Sequence, residues 1–514
     1  MPTSGPLGPS LTMPTEGLTT GVRIQSNLLL YLSARFKETK DLAARVLPTE
    51  LNVACRTEPS VLQTTPVNQF MDVQCIILSK LPLKQAVRTS VVSSQWKSLW
   101  TICPKLRFDG TAMFGNIMNG KQRQQCARQF IDAVNAVLQQ CHGKVVEELV
   151  IKFYFDSMLV DHLNNWARFA ASSQLKFLAF DLTPRDYEAL DSPQYIFPLQ
   201  LFDSNSISHL QLRFVAIKLC AQFSGFPKLI KLDLHNVKVT AKDLQDIFSC
   251  CGALEWLSIV HCKMDGELKV HSPLPSLQYL NVAFCGLTNI EFRVMKLRTF
   301  VYKGSAASIN LTEASELKNA NIFFTGSTIG DAIPALANVL ANVQNLTFKI
   351  YVHAPEVPCL IENPCKFSHL KHLQLLLCYN MDLEVDNLSL VSFLRTALFI
   401  EKLEIHFSSF FGFYRMKGAS TRRFQCTYNY LKDVCITGFQ AAIGQSEFLV
   451  HIVENTPALE QTVTKFGRNG IYVRYPSVAC QGYGDGWQSQ HTKMLMFITD
   501  MVLGWISRHA RSQH

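Results

Sequence analysis

The sequence predicts an α/β chain: a small three-helix module followed by a long solenoid whose strands line up in one curved parallel sheet. Three observations predict it. A six-letter pattern, apolar-x-x-apolar-x-apolar, returns about twelve times from Val146 onward. A dense helical stretch, Asp72 to Trp100, precedes those copies. Charged residues are only 17% of 514 residues while 48% are hydrophobic, as suits short units buried against one another.

Met1 to Gly21 is rich in Pro, Gly, Thr and Ser, the composition of a disordered extension. From Arg23 to Leu47 the residues Leu28, Leu29, Leu32, Phe36, Leu42 and Val46 recur at helical spacing. One amphipathic helix is expected there, stopped by Pro48. Glu38 and Asp41 interrupt its basic character, which argues against a transit peptide. Met1 to Thr20 lacks the basic start and apolar core of a signal peptide. No run of about 18 uncharged apolar residues occurs, so no membrane span is expected.

Asp72 can cap a first short helix through Val73, Ile76 and Ile77, which Leu81-Pro82-Leu83 breaks. A second helix follows from Lys84, with Ala86, Val87, Val91 and Val92 on or near one face. A third carries Trp96, Leu99 and Trp100. A module this small is expected to rest on a partner.

The repeats begin with Val146/Leu149/Ile151, Leu175/Leu178/Phe180, Ile207/Leu210/Leu212 and Leu229/Leu232/Leu234. They continue with Leu254/Leu257/Ile259, Leu277/Leu280/Val282, Leu297/Phe300/Tyr302 and Leu317/Ala320/Ile322. The last are Val343/Leu346/Phe348, Leu370/Leu373/Leu375, Ile400/Leu403/Ile405 and Leu431/Val434/Ile436. Their spacing of about 20–32 residues is near the range of leucine-rich repeats. Each unit is one strand plus a return segment and needs neighbours to cover its apolar side. Side chains alternate along a strand, so the intervening letters face outward on the concave side. The residues expected there as target contacts are His209, Arg213, Lys231, His235, Trp256, Tyr279, His372, Lys402 and His406. That mixed-charge, partly aromatic surface suits protein recognition.

The 16 cysteines lie in apolar runs without a CxxC pair, the usage of small buried hydrophobes in a reducing compartment. Cytoplasmic or nuclear location is therefore expected. The formal charge is +9, and Val67 to Val145 holds 10 Lys/Arg against 3 Asp/Glu, enough to attract an acidic partner. No Arg-rich or aromatic-interleaved stripe points to nucleic acid. Gly115 to Gln122 falls short of a phosphate-binding loop because Gln122 stands where the hydroxyl belongs. Gly482-Tyr-Gly484-Asp-Gly486 reads as a turn. No HExxH, GxSxG or zinc spacing occurs, and His261-Cys262 beside Cys250-Cys251 lies in apolar repeats. No catalytic residue, metal or cofactor is expected.

The stretch Cys75 to Trp100 carries Leu81-Pro82-Leu83, Ala86-Val87-Arg88-Thr89-Ser90, Ser93, Trp96 and Leu99-Trp100. These letters, in this order, resemble a plant F-box. Pro104 to Asp109 resembles the exit of that module. Tyr430 to Phe439, followed by Phe448 to Glu460, resembles the FBD region that closes many plant F-box/leucine-rich-repeat proteins. One departure stands out. The family's box usually opens with Leu-Pro before an acidic pair, and here the place reads Gln69-Phe70-Met71-Asp72.

The resemblance implies a non-catalytic substrate-recognition subunit of an SCF-type (Skp–cullin–F-box) ubiquitin ligase. Its F-box would bind a Skp-type adaptor and, through it, a cullin–RING ligase. Leu81, Pro82, Leu83, Val87, Arg88, Val91, Val92, Trp96, Leu99 and Trp100 are the residues expected in adaptor contact or box integrity. The repeat surface would hold a target protein of unknown identity. The second reading is a leucine-rich-repeat binding module that does not assemble into a ligase. The expected segments are 1–65, an extension with one helix; 66–110, the F-box; 111–145, a helical linker; 146–420, the repeats; 421–465, an FBD-like last repeat; and 466–514, a C-terminal segment with room for a helix.

Overall fold

A strand of five residues cannot bury an apolar face alone, so the repeats are stable only when stacked edge to edge. The computed structural model of the chain shows that stacking. It describes residues 105–115, 120–141, 145–184, 192–202, 206–220, 223–264, 266–325, 339–352, 367–379, 388–409, 426–439, 443–459, 461–466 and 471–476. The chain divides into two units, Met1–Asp72 and Val73–His514, and every described residue belongs to the second. The helix expected over Arg23 to Leu47, the F-box residues Leu81 to Trp100 and the segment after Pro476 lie outside the described residues.

The strands are β1 (Lys105–Asp109), β2 (Glu148–Lys152), β3 (Phe177–Asp181), β4 (Tyr195–Phe197), β5 (His209–Arg213), β6 (Val215–Ile217) and β7 (Lys231–His235). Next come β8 (Trp256–Val260), β9 (Glu267–Val270), β10 (Tyr279–Ala283), β11 (Asn289–Arg293), β12 (Thr299–Gly304), β13 (Ser308–Thr312) and β14 (Asn319–Phe324). The series ends with β15 (Asn345–Val352), β16 (His372–Tyr379), β17 (Lys402–Ser409), β18 (Asp433–Phe439), β19 (Gln461–Phe466) and β20 (Ile471–Pro476). Fifteen of them make one sheet in the order β1-β2-β3-β5-β7-β8-β10-β12-β14-β15-β16-β17-β18-β19-β20. Each of the twelve template copies supplies one strand.

Register follows the template. Lys231, Leu232 and Asp233 of β7 stand opposite Trp256, Leu257 and Ser258 of β8, and those opposite Tyr279, Leu280 and Asn281 of β10. The apolar letters therefore form continuous columns, and none of them is more than 4% exposed. Backbone bonds lock the columns. The N–H groups of Glu255 and Trp256 both donate to the carbonyl of Ile230, and those of Gln278 and Tyr279 to that of Glu255. A one-residue slip would turn every core side chain outward, so the pattern fixes the pairing.

The repeat is longer than six letters. The N–H of Leu229 closes a turn onto the carbonyl of Phe226, Leu254 onto Cys251, Leu277 onto Leu274, and Leu370 onto Phe367. Those upstream residues are buried, so these four repeats each carry one more core position three residues earlier.

The sheet also begins before the first template copy. β1 lies in the segment 66–110 read above as F-box, where Leu106 and Phe108 alternate into the core at 0% and 3% exposure. It pairs in parallel with β2. Helices α1 (Gly110–Phe114) and α2 (Gly120–Gln140) follow it. Phe130 of α2 meets Trp166 of α3 (Val160–Ser172) edge to face at 6.0 Å, and the Trp166 indole donates to Asn135 at 2.8 Å.

Three features depart from a single all-parallel sheet, the first being a separate two-stranded parallel sheet of β4 and β6. β9, β11 and β13 form a second parallel sheet on the return segments, with Leu268, Ile290, Phe292 and Ile309 buried against the first. Return segments that keep a period of about 20 residues are short enough to repeat their own extended pairing. At the far end of the described sheet β20 turns back antiparallel on β19 and covers its edge.

Candidate functional site

The face opposite the core is built from the third, fifth and following alternate template positions. Burial alternates there: β5, β7 and β10 each show half-buried residues at these letters between buried ones. All nine residues predicted as target contacts stand on this face. The structure gathers them into two groups.

The first group spans β3 to β10. The Phe177 and His209 rings stack at 6.0 Å. Lys231 Nζ lies 4.0 Å from the centre of the Trp256 ring, a cation–π contact. Trp256 and Tyr279 stack at 5.1 Å with planes 3° apart. This arrangement exists because the third template letter is in register across His209, Lys231, Trp256 and Tyr279. Burial lowers the His209 pKa, with the Lys231 charge adding to the effect. Burial raises that of Tyr279, helped by Asp233.

Arg213 and His235 sit at the carboxyl ends of their strands. With Lys152, Asp181, Thr111 and Thr183 they line a cavity of about 290 Å³. Asp233 accepts from Gln211 Nε2 at 3.0 Å and faces Arg213 Nη2 at 3.5 Å. Arg213 Nε is buried without a hydrogen-bond partner. Burial lowers the His235 pKa, and the Arg213 charge lowers it further, so this imidazole is neutral at neutral pH.

The second group lies four strands further along, on β16 to β18. Glu404 is its hub. Lys402 Nζ is 2.5 Å from Oε1, His372 Nε2 is 3.3 Å from Oε1, and Gln374 Nε2 donates to Oε2 at 3.0 Å. His406 Nε2 is 3.7 Å from Oε2, and its Nδ1 meets the Thr437 hydroxyl. Burial alone would raise the Glu404 pKa, but the hydrogen bond and charge of Lys402, with His372 and His406, hold it below the usual carboxylate range. The hydrogen bond to Glu404 raises the Lys402 pKa. Lys402, His372 and His406 are thus tied to one carboxylate rather than projecting singly.

Sequence reasoning missed His261 and Phe284. Both fall just past the template, two residues after its last apolar letter, where Phe214 and Asn236 also stand. Extending the pattern by two letters would have shown them. The His261 and Phe284 rings stack at 4.9 Å and 15°.

Among the described residues no group of three or more His, Cys, Asp or Glu is placed to hold a metal ion. Burial raises the Cys251 thiol to about 12, with Cys250 contributing, and Cys285 to about 11. No helix among the described residues is long and apolar enough to cross a membrane.

The geometry is that of a repeat sheet, and comparison with known proteins agrees with that fold. The family model described as At1g61320/AtMIF1, LRR domain, matches residues 137–495. The F-box domain model matches residues 71–108. The chain belongs to the At1g61320/AtMIF1 LRR-domain family. It is an F-box/leucine-rich-repeat protein of the plant type, and its relatives from Arabidopsis thaliana include FBD-associated F-box proteins. FBD-associated F-box protein At5g60610 is 27% identical over 311 residues, 59% of this chain and 73% of the relative. FBD-associated F-box protein At5g56370 is 28% identical over 309 residues, 59% of this chain and 66% of the relative. F-box protein At3g03040 is 26% identical over 238 residues, 45% and 48% of the two chains.

In this F-box/LRR chain the region resembling the FBD comprises β18, the helix Ile443–Glu454 and β19. It continues the sheet, since β18 pairs in parallel with both β17 and β19. The residues expected in adaptor contact or box integrity, Leu81, Pro82, Leu83, Val87, Arg88, Val91, Val92, Trp96, Leu99 and Trp100, lie within the F-box match and outside the described residues.

Proposed function

We propose that this protein is the substrate-recognition subunit of an SCF-type ubiquitin ligase. Its F-box docks on a Skp-type adaptor and thereby on a cullin–RING ligase, and its repeat face holds the target. The observation that carries the reading is the order of the two family matches in one chain, an F-box at 71–108 followed by LRR repeats at 137–495. The mechanism is proximity. Holding a target beside a ubiquitin thioester carried elsewhere raises its effective concentration, so the chain needs no nucleophile of its own. It acts without a cofactor, in the cytoplasm or nucleus.

The test is co-purification of the full chain with a Skp-type adaptor. Retention by the parent chain, and loss with Leu81→Ala combined with Pro82→Ala, is the expected result. The departure at Gln69-Phe70-Met71-Asp72 favours one second reading, a repeat module that binds its target without assembling into a ligase. Failure of the parent chain to retain the adaptor would establish that alternative.

A further inference from the structure

The centre of the open face has features that packing does not explain. Phe214, Asn236, His261 and Phe284 all hold left-handed backbone, at φ 56°, 53°, 52° and 53°. Phe214 is 1% exposed, so the core holds it there. Asn tolerates that conformation. His261 is exposed and Phe284 is 39% exposed, so neither gains burial for its strained backbone. What they gain is position. Their rings stack on each other, and Phe284 meets Phe323 edge to face at 6.2 Å.

The same two strands carry the Trp256–Tyr279 stack at their amino ends. The two ring pairs are thus about five residues apart along β8 and β10, roughly 16 Å. Between them the side chains are small: Ser258, Val260, Asn281 and Ala283. Asn281 Oδ1 has no hydrogen-bond partner there. The result is a trough with aromatic walls and a shallow floor.

Charge selects what fits. At the outward template letters from β5 to β15 there are four cations, Arg213, Lys231, Lys303 and Lys349, against one carboxylate, Asp233. That carboxylate is already engaged by Gln211 and Arg213. Two of the cations lie over aromatic rings, Lys231 on Trp256 and Lys349 on Phe323 at 4.8 Å.

We propose that this trough receives an extended acidic segment of the target, anchored by an aromatic side chain between the Trp256–Tyr279 and His261–Phe284 ring pairs. The inference rests on the reading of the repeat face as the target-binding face. Carboxylates of the segment meet the surrounding cations, and the anchor supplies the desolvated contact that dominates such interfaces.

The experiment pans a display library of random dodecapeptides against the full chain and measures the winners by fluorescence anisotropy. Selected peptides should be enriched in Asp and Glu around an aromatic residue. Phe284→Ala and Trp256→Ala should each weaken binding roughly tenfold or more while the melting temperature holds. Met295→Ser, at an exposed site on the return segment, should leave affinity unchanged and serves as the folding and surface control. Winners without acidic bias, or winners that bind Phe284→Ala and Trp256→Ala as tightly as the parent, would overturn the proposal. Adaptor co-purification is read on the same preparations. Adaptor retained without acidic selection sinks this inference alone; acidic selection without adaptor sinks the ligase reading and leaves the trough.

Discussion

Phe214 and Phe284 share one backbone conformation and differ in what surrounds them, so they separate strain from packing. Phe214→Asn removes a buried ring and is expected to cost about 3 kcal/mol or more in denaturant unfolding. Phe284→Asn relieves roughly 1 kcal/mol of left-handed strain and gives up a ring stack of similar worth. Its unfolding free energy should stay within about 0.5 kcal/mol of the parent or rise. His451 offers a pH test. Burial lowers its pKa, and its ring nitrogens lie 3.3 Å from the Tyr428 hydroxyl and 3.2 Å from Asn455 Nδ2. A folded pKa below the unfolded value means the contribution is complete above about pH 6.5 and is lost as pH falls through the lower folded value. His451→Gln should therefore flatten the stability profile between roughly pH 7 and 5, read as melting temperature against pH. Glu404, also lowered, acts in the same direction at more acidic pH.

A strand of this sheet is an element that cannot stand alone, and its central apolar letter carries its worth. Leu257 and Leu280 are fully buried neighbours in one column. Leu257→Ala should cost about 2–5 kcal/mol, whereas Ser258→Ala on the other face of the same strand should change stability by well under that. The strands were legible in the sequence because each copy keeps two buried letters separated by one outward letter. The core letter three residues upstream was not, since it varies from Phe226 to Cys251 to Ala397 and belongs to a turn rather than a strand. β1 escaped because Leu106 and Phe108 alone are too short a pattern to separate from the helical module before it. The open face was legible as a set of positions, but its division was not. His209, Lys231, Trp256 and Tyr279 interact because four strands happen to be adjacent, while His372 of β16 and Lys402 and His406 of β17 converge on Glu404.

At the scale of the whole molecule the sheet is a stack with two ends, and its stability is a sum of units and interfaces. β20 caps one end by turning back on β19. Ending the chain after Leu459 would uncover the edge of β18, so concentration-dependent self-association in light scattering is the expected outcome. The sequence by itself determined the fold class, the identity and order of the repeats, and which letters face inward, because those follow from a local period that every repeat states again. Only the tertiary structure decided which outward residues meet across strands, that a second sheet lines the return segments, and where the backbone is forced into left-handed turns. Those depend on neighbours far apart in the chain. A ring two residues past the template has no meaning until the next strand is laid beside it.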